Sequence, residues 1–342
     1  MASNTTDNHN YNTTDYEDYV MPSEIPNVQF VYLIRIRMLY IVMYLIVCTL
    51  GMTLNFFVII SGCHFYHKVH KSAASVWVLA LAVTHLVFSA FLVLQFLYAW
   101  YHFNWHYGEA LCKISSYIIY ASMFSTAALL SLWSVSGTIG GCFESLRAKC
   151  NSRGTCLVLV LSSWTFGVIV SSPSLLSREL RYTKLGEECI DDYDLNKERT
   201  TDYGKKNFTA VVLSRFLLGI LVPVFMMTIS ACLARRQGCN PNQSLKRVTC
   251  AIKVAYFVCW TPLLVLGLLQ ITEKKHEFFK YQLPAATVLA AAHSVINPVI
   301  YLLVGRKMNM QWMFQGVGRG PFAPVEGNPD QDILDNHMLQ TL

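Results

Sequence analysis

Seven long apolar stretches dominate the chain, and each is about as long as a helix must be to cross roughly 30 Å of hydrocarbon. They fall at 38–62, 76–100, 111–140, 155–176, 210–233, 248–269 and 283–304. The chain has 342 residues, 54% hydrophobic and only 14% charged, whereas a soluble domain carries about 25% charged residues. Within lipid every backbone polar group needs an internal partner, which leaves helices or closed barrels. Runs of this length select helices. The expected fold class is all-α: a seven-transmembrane helix bundle with a short amphipathic helix after span seven.

The net charge of +6 does not point to nucleic acid, because the basic residues lie largely in short segments between apolar runs. The segments after spans one, three and five hold Lys68 and Lys71, then Arg147, Lys149 and Arg153, then Arg235, Arg236, Lys246 and Arg247. Glu144 is their only carboxylate. By the positive-inside rule those segments are cytoplasmic. The chain reads as a multi-pass plasma-membrane protein, amino terminus extracellular and carboxyl terminus cytoplasmic. Arg35 and Arg37, at the outer mouth of span one, run against the rule. The first 34 residues contain no Lys or Arg and no hydrophobic core before a small-residue cleavage site, so no removable signal peptide is expected. The expected layout is an extracellular tail at 1–34, a transmembrane domain at 35–304 and a cytoplasmic tail at 305–342.

Asn4-Thr5-Thr6 and Asn12-Thr13-Thr14 in the outer tail are glycosylation acceptors. Tyr11, Tyr16 and Tyr19 lie among Asp15, Glu17 and Asp18, a setting that suits tyrosine sulfation and equally a plain solvated acidic tail. Either way the tail attracts a cationic partner. Of eleven cysteines, only Cys112 at the start of span three and Cys189 in the loop between spans four and five meet the oxidising side, which leaves one pairing. The others are expected as reduced thiols. No cysteine spacing suits zinc, and no metal or cofactor is expected.

Span seven carries Asn297-Pro298-Val299-Ile300-Tyr301. A proline there implies a kinked helix whose freed backbone groups find partners on neighbouring helices. In span five Arg215 lies about five residues in, roughly 8 Å along the helix. A cation at that depth costs about 2.5–3.5 kcal/mol and is normally paired or functional. No intramembrane carboxylate is present to pair with it. Two readings stay open: snorkelling to the outer headgroups, or a bidentate anchor for a carboxylate on a ligand. Tyr117, Tyr120 and Met123 on span three and Gln95 on span two are candidates for lining the same cavity, with ordinary packing as the alternative for each. Lys253, in the cytoplasmic half of span six, either snorkels to water or meets a cytoplasmic partner.

Asn55, Trp164, Cys259-Trp260-Thr261-Pro262, the span-seven motif and the Cys112/Cys189 pair stand in the order and spacing of the rhodopsin-like (class A) seven-helix receptors, which the chain resembles from span one onward. Within that family it is most similar to the chemoattractant branch, the chemerin and formyl peptide receptors. Asn104-Trp105-His106-Tyr107-Gly108, Met123-Phe124, Ser171-Ser172-Pro173-Ser174-Leu175, Ser214-Arg215-Phe216-Leu217-Leu218-Gly219 before Pro223, and Gln282-Leu283-Pro284-Ala285 carry that similarity. The resemblance implies chemotaxis and inflammatory signalling through heterotrimeric G proteins, an arginine at the place of Arg215 that anchors the ligand, and Trp260 as a switch beneath it.

The chain departs from the family pattern where that pattern implies signalling. Ser136-Gly137-Thr138 stands where the family has Asp-Arg-Tyr, His85 where it has a sodium-binding aspartate, and Ala231 where a tyrosine partners Tyr301. Imidazole is a poor ligand for a hard cation. A ligand shifts a two-state equilibrium only through its differential affinity for the two states, so losing such groups predicts weak or atypical coupling. Between Gly305 and Leu342 the only Ser or Thr is Thr341, which gives arrestin little to read. The expected function is a receptor for an extracellular peptide, small protein or lipid mediator; the alternative is a ligand-capturing or silent receptor. A retinal protein needs a lysine midway along span seven, which has none, and no nucleophile–base–orienter set suggests an enzyme.

Overall fold

The computed structural model describes residues 27–66, 73–150, 152–183, 186–194, 202–238, 243–272 and 276–306. Helices α1 (Asn27–Tyr66), α2 (Ala73–Trp100) and α3 (Gly108–Cys142) are the first three spans. A short helix α4 (Glu144–Cys150) leads into α5 (Arg153–Val170), the fourth span, which ends at Ser171-Ser172. Pro173 stops α5 and opens a separate short helix α6 (Pro173–Ser177), because proline has no N–H to continue a helix but fits the first turn of one. The hairpin β1 (Arg178–Thr183) and β2 (Gly186–Asp191) follows, with Leu180 opposite Cys189. Span five is α7 (Asp202–Phe216), a π-helical turn (Leu217–Leu221) and α8 (Val222–Arg236); α9 (Gln243–Thr272) and α10 (His276–Arg306) complete the seven.

The bundle meets its surroundings with apolar side chains such as Leu45, Phe56, Val158, Ile169, Phe225 and Val258, all exposed, while small polar groups sit between helices. Ser89, Ser115, Ser116, Ser125, Ser163 and Ser294 are buried. Lipid is as apolar as leucine, so close approach and hydrogen bonding drive helix association. At Gly167 on α5 a Cβ would come within 2.7 Å of the Ala121 carbonyl on α3, and only glycine permits that contact. Trp164 Nε1 donates to Thr84 Oγ1 at 2.9 Å, tying α5 to α2.

Each proline leaves the carbonyl four residues earlier without its helical donor. Pro298 frees the carbonyl of Ser294, and the buried Asn55 amide donates to it at 2.9 Å across from α1. Pro223 likewise frees the carbonyl of Gly219, which accepts from the Tyr256 hydroxyl on α9 at 2.9 Å. The span-one marker is therefore the partner that the span-seven kink requires.

Several differences from expectation have local causes. Helix α1 begins at Asn27, well before the apolar run at 38–62, so its first turns precede that run. Arg37 donates through Nε to the Ala99 carbonyl at 3.2 Å and through Nη2 to the Trp100 carbonyl at 3.4 Å, so it caps the last turn of α2. Cys142, expected as a reduced thiol, is disulfide-bonded. Asn4, Asn12, Tyr11, Tyr16, Tyr19 and the expected helix after span seven all lie outside the described residues.

Candidate functional site

At the end of the bundle that carries the hairpin a cavity of about 950 Å³ opens between the helices and the loop. Gln95, Tyr120, Arg215 and Trp260 line it, together with Asp191 and Tyr193 from the loop. The loop is held there by the Cys112–Cys189 disulfide, formed as the two-cysteine reading required. Its end of α3 is buried with Trp105, whose indole donates to the Gly108 carbonyl at 2.9 Å and whose backbone N–H donates to Glu187 at 2.7 Å.

Arg215 is the centre of the cavity's chemistry. The helix that carries it starts at Asp202, so Arg215 lies about 20 Å along it rather than 8 Å. It is only 8% exposed and does not snorkel outward. Its guanidinium carbon sits 3.6 Å from the centroid of the Tyr120 ring, Nη2 donates to Ser174 Oγ at 3.2 Å, and Nη1 lies 3.5 Å from the Tyr193 hydroxyl. Burial keeps the Tyr193 phenol well above its ordinary range; nearby Asp191 adds to the rise and Arg215 opposes it. That phenol is therefore neutral at physiological pH. The loop carboxylates are engaged elsewhere: Asp191 Oδ1 lies 3.0 Å from Arg178 Nε, an ion pair in which the N–H does not point at the oxygen, and Asp192 pairs with Arg181. Partial desolvation opposes the rise of the Arg181 pKa, but its contacts with Glu179 and Asp192 outweigh it. Among the described residues no carboxylate lies within ion-pair distance of Arg215. A buried fork of donors set over a tyrosine, with no carboxylate at ion-pair distance among the described residues and Asp191 acting on it only from farther away, is suited to an incoming carboxylate.

Two expected lining residues face elsewhere. Tyr117 donates through its hydroxyl to the Val168 carbonyl at 3.0 Å and so faces α5. Met123 is buried beneath Tyr120, its Cε 3.3 Å from where a Cβ on Gly219 would sit. Three residues make about 300° of helical turn, so the 117, 120, 123 spacing drifts off the face that Tyr120 presents. Ser174 and Tyr193 were not anticipated. They hold the guanidinium from a short helix and a loop, and only the three-dimensional path of that loop brings them near.

Trp260 lies low in the cavity, 2% exposed, with its ring edge-to-face with Phe88 at 6.2 Å. Elsewhere in the bundle Asn297 Nδ2 lies 2.9 Å from His85 Nε2 and 3.5 Å from His293 Nε2. An amide nitrogen only donates, so both imidazoles face it with an unprotonated nitrogen. His85 thus serves as a neutral hydrogen-bond partner of the span-seven motif. Further along α3, Ser136 Oγ donates to the Cys150 carbonyl and Thr138 Oγ1 to the Ser230 carbonyl, each at 3.3 Å. A Cβ at Gly137 would meet nothing within 4 Å. Ala231 is exposed, and the buried Tyr301 hydroxyl has no partner among the described residues.

Comparison with known proteins gives the same picture from outside. The model of the seven-transmembrane receptor (rhodopsin family) matches residues 54–301. Chemerin-like receptor 1 of Rattus norvegicus is 31% identical over 288 residues, 78% of this chain and 75% of that protein. The Homo sapiens protein of the same name is 29% identical over 285 residues, 79% and 76% of the two chains. The apelin receptor of Xenopus tropicalis is 28% identical over 333 residues, 90% of each.

Proposed function

Because this chain belongs to the rhodopsin family of seven-transmembrane receptors, we propose that it is a plasma-membrane receptor whose outer cavity takes an anionic group of an extracellular peptide or small protein on Arg215. Family membership makes it a multi-pass membrane receptor and not an enzyme. The ligand class rests on one observation: a buried guanidinium, stacked on Tyr120, with no carboxylate at ion-pair distance among the described residues. The names of the relatives, chemerin-like and apelin receptors, support a peptide or protein over a lipid mediator. Residues 1–34 face outward as a glycosylated acidic tail carrying Asn4 and Asn12, Tyr11, Tyr16 and Tyr19 collect cationic partners, and residues 305–342 face the cytoplasm. Replacing Arg215 with Ala weakens binding of peptides that end in a free carboxylate by roughly tenfold, a loss of about 1.4 kcal/mol, and leaves their amides unaffected. Equal binding by the variant and the parent discards the reading.

Coupling to heterotrimeric G proteins is weak or atypical in this reading, because hydroxyls at Ser136 and Thr138 bond to nearby carbonyls where the family pattern has an ion pair. The second reading, a receptor that captures ligand without activating a G protein, follows from the same positions. Basal or ligand-driven nucleotide exchange by the unaltered chain in membranes separates them, and restoring Asp-Arg-Tyr at 136–138, where the open space at Gly137 admits the side chain, locates the block. A rise in nucleotide exchange in membranes assigns the block to this stretch; no rise places it at His85 or Ala231.

A further inference from the structure

A second cavity of about 160 Å³ adjoins the first, with Gln95 and Arg178 on both linings. Tyr40, Tyr98, Phe103 and Trp105 wall it. Their rings are set edge-on: Tyr40 to Phe103 at 6.0 Å, Tyr98 to Phe103 at 5.4 Å, and Tyr98 to Trp105 at 5.7 Å. We infer that this side chamber takes an aromatic side chain of the same peptide whose carboxylate sits on Arg215, so the ligand is gripped at two chemically distinct points. The inference rests on the reading of Arg215 given above.

Three observations carry it. Size is the first, because apolar cavities of roughly 150 Å³ take up benzene, so a single ring fills this one. Charge is the second. An aromatic wall attracts either a ring or a cation, but among the described residues no carboxylate lines this chamber, and its one charged lining residue, Arg178, is a cation already paired with Asp191, so an incoming cation finds no counter-charge there and a neutral ring is the better fit. Arg178 is itself fixed, its Nη1 donating to the Cys189 carbonyl at 2.8 Å. Backbone conformation is the third. Phe103 has φ +62°, a region that bulky residues rarely enter, and His102 before it has φ +57°. The turn holds an unfavourable conformation and thereby sets the Phe103 ring between Tyr40 and Tyr98.

The test uses the full chain in lipid nanodiscs and fluorescein-labelled pentapeptide pools. Each pool fixes Phe or Leu at one position and ends in a free carboxylate or an amide. One position shows a preference for Phe over Leu of about three- to tenfold, the range that aromatic pairing adds beyond area burial. In Phe103→Gly, a substitution that suits the backbone at φ +62°, that preference falls to about one while the preference for acid over amide persists. Thr287→Leu, which narrows the chamber from α10, gives the same loss and serves if Phe103→Gly does not fold. A Phe preference that survives in both variants overturns the inference, as does its absence at every position while acid is still preferred over amide. Indifference between acid and amide overturns the Arg215 reading instead, and this inference with it.

Discussion

The guanidinium carbon of Arg215 rests 3.6 Å from the centre of the Tyr120 ring, so the cation is held over a ring of α3 while its two Nη atoms reach Ser174 and Tyr193. Geometry of this kind belongs to a planar group. Arg215→Lys keeps the charge but loses both the fork and the stack, and binding of carboxylate-terminated peptides falls about tenfold, close to the loss in Arg215→Ala. Tyr120→Leu removes only the ring and costs about 0.5–2 kcal/mol, or roughly two- to thirtyfold in affinity. Peptide titrations at matched surface expression measure both; a lysine variant as tight as the parent refutes the planar-anchor geometry.

Asn55 and Pro298 are one device split across two helices. Asn55→Leu leaves the Ser294 carbonyl unsatisfied and lowers stability by about 1–3 kcal/mol. In a Pro298→Ala background the alanine N–H takes over that carbonyl, and the same substitution costs about 1 kcal/mol less. Thermal unfolding of the four detergent-solubilised proteins closes the cycle. Additive losses count against the pairing.

A parallel relation joins Tyr256 to Pro223. Tyr256→Phe deletes the hydroxyl that satisfies the Gly219 carbonyl and destabilises by about 1–3 kcal/mol, with partial recovery in Pro223→Ala. Gly219 itself resists replacement, since a Cβ there comes within 3.2 Å of Leu264 and 3.3 Å of Met123. Gly219→Ala is expected to lower the unfolding temperature, and an unchanged temperature means that α3 and α9 yield at this point.

The Cys112–Cys189 bond closes a loop of 77 residues, for which chain-entropy reasoning gives about 4.5 kcal/mol. Replacing both cysteines with serine lowers the unfolding temperature and, by releasing the loop that carries Tyr193, weakens carboxylate binding as well. A lower temperature with unaltered binding shows that the loop keeps its place without the bond.

The spans were legible because apolar length is a one-dimensional property, and Arg215 because a cation in such a run is rare. The disulfide was legible because the expected topology left two cysteines to pair, and the bond between them is formed. Pro298 announced a carbonyl in need of a partner, but the sequence did not say that Asn55, 239 residues earlier than Ser294, supplies it. The hairpin escaped notice because its strands, with Arg178, Glu179, Arg181, Glu187 and Glu188, lack the apolar alternation of a half-buried sheet. Tyr117 and Met123 were misplaced because an i, i+3 spacing tracks a helix face for only one step. The π-helical turn at Leu217–Leu221 has no pattern of its own in the residues.

Arg37 runs against the orientation expected from the other basic residues, and its hydrogen bonds to Ala99 and Trp100 give it a separate reason to be there. A cation pegged to the end of a neighbouring helix works as a fastener, and its sign carries no address. Tallies of basic residues that decide how a polypeptide threads a bilayer should therefore discount any arginine that is already clamped to another helix's last carbonyls.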